Sequence, residues 1–114
     1  MKVAIIGSRS ICDIDIKNFI PPDTTFIISG GAEGIDAIAE KYADENGIEK
    51  LIFYPDYELY GRTAPLIRDK LIVDHSDKVI AIWDGVSSGT AFTITYAKQQ
   101  NIPCEIFVIQ TQDT

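Results

Sequence analysis

A three-layer α/β fold is the architecture this chain predicts: a doubly wound parallel sheet of five strands with helices on both faces. Two observations carry that reading. Short apolar runs alternate with segments of helical period, β-α repeated along the chain, and this alternation implies a parallel sheet covered on both sides. Small-residue and glycine turns follow strands, whereas Pro-Pro, Asn-Gly and Asn-Ile-Pro stops precede them. The 114 residues fit one domain, 1–114, and suffice for a real core. A strand order of 3-2-1-4-5 is expected from the connection rules.

The elements follow in chain order. Val3-Ala4-Ile5-Ile6 is too short for a helix and reads as a strand buried on both faces, ended by Gly7. Gly7-Ser8-Arg9-Ser10 is a small polar loop holding one cation. A short helix is expected from about Cys12 to Ile20, with Asp13 or Asp15 near its start and Pro21-Pro22-Asp23 breaking it. The second strand, about Thr25 to Ser29, feeds the turn Ser29-Gly30-Gly31-Ala32-Glu33-Gly34. Helix two runs from about Gly34 to Asn46, with Ile35, Ile38, Ala39, Tyr42 and Ala43 at i, i+3, i+4, i+7 and i+8. Asn46-Gly47 is its stop.

Strand three covers about Lys50 to Tyr54, and Tyr57–Arg62 reads as a loop. Thr63 is placed to cap a third helix, about Ala64 to His75, with Pro65 in its permissive first turn. Ile67 and Leu71 mark that helix's apolar stripe, and Arg68 falls outside it. Strand four is the strongest, Lys78 to Trp83. Helix four, about Gly89 to Gln100, has Ser88 as its expected cap, and strand five spans Glu105 to Ile109. The tail Gln110–Thr114 is polar and expected to fray.

Composition narrows the function classes. The net charge of −7 speaks against non-specific binding to nucleic acid or to an anionic membrane. No apolar run approaches the ~20 residues of a membrane span, and Met1-Lys2 precedes only four apolar residues, so a cytoplasmic protein is expected. Cys12 and Cys104 have neither zinc-site nor disulfide-framework spacing. No metal cluster and no cofactor fingerprint is present: G-x-G-x-x-G and G-x-x-x-x-G-K-[ST] are both missing. His75 sits near a helix C-terminus, where a cation is favoured without any catalytic role.

In a sheet of this kind ligands bind at the C-terminal edge, near the point where the strand order reverses. Gly7, Ser8 and Arg9 reach that edge, as do Gly30, Gly31, Ala32, Gly34 and Asp36. So do Arg62, and Asp84, Gly85, Ser87, Ser88, Gly89 and Thr90. Backbone N–H groups at the two glycine turns suit phosphate or carboxylate. Arg9, Arg62 and Arg68 are charge partners for phosphate. Asp36 or Asp84 can accept from ribose, and Tyr57, Tyr60 and Trp83 can stack on a base. Together these residues fit a nucleotide or a phosphosugar.

Gly7-Ser8-Arg9, Ser29–Asp36 and Trp83–Thr90, in that order, resemble the SLOG superfamily, most closely its small stand-alone YspA-like branch. The resemblance covers nearly the whole chain. It implies a Rossmann-like sheet with a nucleotide-type ligand at the glycine loops, and a homo-oligomer. It carries Arg9, Gly30, Gly31, Gly34, Asp36, Ser87, Gly89 and Thr90 over as ligand-loop positions. The superfamily also holds the "Lonely guy" phosphoribohydrolases and the DNA-processing Smf proteins. The small branch typically has Arg-Asn where this chain has Arg68-Asp69. The hydrolases have a Pro-Gly-Gly start where this chain has Asp84-Gly85.

The first expectation is therefore a nucleotide-binding module acting as a sensor or binding domain. The alternative is an N-glycosidic-bond hydrolase acting on a nucleoside monophosphate or NAD-like molecule, with Glu33, Asp36, Asp84 and Arg68 as catalytic candidates. A DNA-processing accessory role comes third, since no basic face supports it.

Overall fold

The computed structural model describes residues 1–110, so Thr111–Thr114 of the expected tail lie outside the described residues. Five parallel strands form one sheet in the order β3-β2-β1-β4-β5. They are β1 (Lys2–Gly7), β2 (Phe26–Ser29), β3 (Glu49–Ile52), β4 (Lys78–Trp83) and β5 (Cys104–Val108). The helices are α1 (Ile35–Glu45), the single turn α2 (Tyr57–Tyr60), α3 (Ala64–Asp74) and α4 (Ser88–Gln99). β1 and β4 lie side by side at the centre, with Val3 opposite Lys78 and Gly7 opposite Ile82. The order reverses between them, as expected.

Alternating side chains of the central strands build two cores. Val3, Ile5, Ile27, Ile80 and Ile82 face α1, which presents Ile35, Ala39 and Ala43. Ala4, Ile6, Ile28, Val79 and Ala81 face α3 and α4, which present Ile72, Val73, Ile94 and Ala97. Continuous apolar runs are what a strand covered on both faces requires.

Five local expectations are corrected. The helix expected over Cys12–Ile20 does not form; only a 3-10 turn, Lys17–Phe19, is present. Asp15 Oδ1 accepts the Lys17 N–H at 3.0 Å, a local bond that competes with helix formation. Ile11, Ile16 and Phe19 still cover the sheet, Phe19 lying 4.7 Å from Phe107 between ring centroids. The loop expected over Tyr57–Arg62 contains α2, capped by Asp56, whose Oδ1 accepts the Leu59 N–H at 3.1 Å.

Thr63 does not cap α3: it ends a 3-10 turn, and its hydroxyl donates to Tyr60 O at 2.8 Å. The cap position of α4 is Ser87 rather than Ser88, and no side chain caps there. The buried stripe of α3 is Ala64, Arg68, Ile72 and Val73, so Arg68 belongs to it and Leu71 lies exposed. Other strand and helix ends shift by one or two residues, which is ordinary fraying of boundaries.

Candidate functional site

The loops after β1, β2, β3 and β4 enclose a cavity of about 840 Å³ at the C-terminal edge of the sheet, over the β1/β4 reversal. That size lies within the range of small-molecule sites, roughly 300–1,000 Å³.

Ser8 holds the loops together from beneath. Its side chain and backbone are 1 % exposed. Its N–H donates to Ile82 O at 3.1 Å, and its carbonyl accepts from Ile11 N and Ile35 N. Its Oγ accepts the Asp84 N–H at 2.9 Å. One residue thus joins the β1 loop, the start of α1 and the β4 loop. Gly34, at the cap of α1, has φ +73°, and a Cβ there would lie 2.5 Å from Ser8 O. Only glycine fits that junction.

Asp84 organises its own loop. Oδ1 accepts from Val86 N at 2.9 Å and Ser87 N at 2.8 Å; Oδ2 accepts from Ser87 Oγ at 2.7 Å and Ser10 Oγ at 3.1 Å. The Val86 N–H, followed by the Ser87 N–H, holds the Asp84 carboxyl well below the usual carboxylate range. With Ser87's hydroxyl turned to Asp84, no side chain caps α4, and its first-turn residues Ser88, Gly89 and Thr90, whose N–H groups have no carbonyl one turn back, line the cavity. At α1 the situation differs. Ala32 N donates to Asp36 Oδ2 at 3.2 Å and Ile35 N to Ser8 O, so the protein's own groups occupy both donors.

The floor is a buried charge cluster. Arg68 and Asp36 are each 7 % exposed. Arg68 Nε donates to Asp69 Oδ1 at 2.7 Å, and Arg68 Nη1 donates to Gly30 O. A Cβ on Gly30 would lie 2.8 Å from Arg68 Nη1 and 2.9 Å from Asp36 Oδ2, so the bare glycine is what leaves room for both side chains there. Burial pushes the Asp36 carboxyl up to about 6, against the opposing pull of the Ala32 N–H and Arg68. Burial also raises Asp69, with Arg68 opposing.

Most sequence-predicted residues converge here. Gly7, Ser8, Arg9, Ala32, Asp36 and Arg62 line the cavity, and so do Arg68, Asp84, Ser87, Ser88, Gly89 and Thr90. Gly30, Gly31, Gly34 and Gly85 are not part of the lining, and neither is Glu33, which is exposed. Tyr57 and Tyr60 are exposed away from it, and Trp83 turns inward, its Nε1 donating to Ser87 O at 3.0 Å. His75 lies beyond it at the end of α3, its Nδ1 2.7 Å from Leu71 O.

Sequence reasoning missed Ser10, Pro65, Leu66, Phe92 and Thr93 in the lining. Phe92 and Thr93 follow Ser88 and Gly89 by one helical turn, a spacing that points them the same way. Among the described residues no group of three or more His, Cys, Asp or Glu is placed to hold a metal, and no helix is long and apolar enough to cross a membrane.

Sheet order and cavity position define a Rossmann-like α/β protein with a cavity at the topological switch. Residues 1–60 match the model of the family described as YAcAr: YspA, cpYpsA-related SLOG family, and the chain belongs to that family. Searches of the curated proteins and of the solved structures find no match. Family membership suggests a nucleotide-related binding or processing role.

Proposed function

We propose that the cavity binds a nucleotide or a nucleotide-derived phosphorylated ligand, and that the chain acts as a binding or sensor module. One observation carries this reading: all three arginines of the chain, Arg9, Arg62 and Arg68, line the same cavity, while none of its lysines does. Guanidinium groups match phosphate oxygens in a planar, bidentate way that ammonium groups do not.

In this reading the ligand phosphate sits at the α4 N-terminus, on the N–H groups of Ser88, Gly89 and Thr90, with Arg9 above it. Pro65, Leu66 and Phe92 form the apolar side that receives a base. Gly30, Gly31, Gly34 and Gly85 shape the turns, and Asp84 braces the phosphate loop.

A second reading, N-glycosidic hydrolysis, draws support from Asp36, a cavity carboxyl that keeps its proton up to about 6 and so has one to give to a leaving base. Thermal unfolding with a panel of nucleotides and phosphosugars tests the first reading. The expected stabilisation is about 2.7 kcal/mol at a hundredfold excess over Kd, reduced in Arg9→Gln. No stabilisation by any compound at millimolar concentration overturns it. Chromatography of the same mixtures separates the readings: free base appears only if the bond is cut.

A further inference from the structure

We propose that Asp36 sets which ligands the cavity floor accepts, and that a phosphorylated ligand binds there with uptake of one proton by the Asp36 carboxyl. This rests on the reading of the cavity as a phosphate-ligand site and adds to it a charge rule.

The floor holds two carboxylates, Asp36 and Asp69, against one guanidinium, Arg68. The cluster is therefore anionic by one unit before any ligand arrives. Arg9 and Arg62 are exposed at the rim, where water screens them. An anionic ligand lowered onto this floor meets a like charge in a cavity from which it displaces water. Taking up a proton removes that conflict.

Geometry also says which carboxyl takes the proton. Asp69 receives the Arg68 Nε–H directly, and Asp84 accepts four hydrogen bonds, three within its own loop and one from Ser10 of the β1 loop. Both anions are held by donors that a proton would have to displace. Asp36 accepts one main-chain N–H, from Ala32, and faces the Ser29 hydroxyl of β2. From α3 it faces Arg68 and Asp69. From the β1 loop Arg9 acts on Asp69. From α4 the nearest cavity groups, Thr90 and Thr93, are uncharged, and no lysine or histidine lines the cavity.

Burial already holds the Asp36 carboxyl up to about 6, so near neutral pH the proton is close at hand. The proton comes from solvent, and no bond of the ligand changes. Once protonated, Asp36 donates a hydrogen bond where it previously repelled, so a phosphate or hydroxyl oxygen is accepted and the floor becomes neutral.

The test compares wild-type protein with Asp36→Asn, which keeps the shape and removes the titration. AMP is the probe, measured by calorimetry between pH 5 and 8. The ratio of the wild-type Kd to the variant Kd cancels the titration of the AMP phosphate itself. It is expected to lie near one at pH 5 and to reach about tenfold at pH 7, one unit above the free carboxyl. Carbon-13 NMR of the side-chain carboxyls gives a reading on wild-type protein alone: the Asp36 titration moves up by at least one pH unit in saturating AMP. A flat ratio together with an unmoved titration overturns the proton linkage and leaves the binding site standing. Absence of AMP binding to both proteins at pH 5 overturns the linkage and the phosphate-site reading together.

Discussion

Asp36 and Asp84 line one cavity and are driven in opposite directions, Asp36 up by burial and Asp84 down by its loop N–H groups. The difference has a consequence for stability. An Asp36 carboxyl raised from its ordinary value to about 6 means that the folded state holds an extra proton between about pH 4 and 6. Stability from this group is therefore fully present below about pH 4 and is lost as pH rises from there through 6. Between pH 5 and pH 7 the loss is on the order of 1 kcal/mol. Urea unfolding at those two values is expected to show that slope in the wild type and to lose it in Asp36→Asn. Asp84 has the opposite sign: its contribution is present above the ordinary carboxylate range and fades only in stronger acid. None of this was readable from residue types, because burial depends on which helix face turns inward. Arg68 makes the point. Apolar residues alone predict an α3 stripe through Ile67 and Leu71, yet an arginine occupies the buried face because Asp69 and Gly30 O satisfy its donors there.

At the level of elements, the turns and strands were legible where one strong local signal ruled. Asn46-Gly47 ends α1, Pro65 sits in the first turn of α3, and β4 covers the expected Lys78–Trp83. Reading failed where side chains compete with the backbone. Asp15 bonds Lys17 N instead of starting a helix, Asp56 nucleates α2, and Ser87 turns to Asp84 instead of capping α4. The Gly34 junction supplies a sharper test of element packing. Its positive φ and the nearby Ser8 carbonyl leave no room for a methyl group. Gly34→Ala is expected to cost about 2–4 kcal/mol, by the combined backbone strain and overpacking. Gly47→Ala, at a similar φ with nothing within 4 Å, is expected to cost clearly less. Chemical denaturation of the two variants side by side checks the difference.

At the scale of the molecule, the sheet order followed from the β-α alternation, because apolar runs at β1 and β4 require cover on both faces and so belong at the centre. The cavity followed from that order, since four of its loops leave the same edge. Its polarity did not follow. A chain of net charge −7 gathers all its arginines around one opening, and this concentration is invisible in the overall charge. The long-range pairs that make it, Arg68 on Gly30 and Ser8 under Asp84, are 38 and 76 residues apart. No local pattern announces them.

Ser8 has one more consequence, in the time domain. The amides of Ile11, Ile35 and Asp84 all end on this residue, although they belong to three distant segments. An opening that frees one must disturb the shared partner of the other two. In deuterated solvent these three amides are expected to exchange as a set, at one common rate, while neighbours in the outer loops exchange earlier. Hydrogen-exchange NMR would then make Ser8 visible as the boundary of a single cooperative unit, drawn across the chain rather than along it.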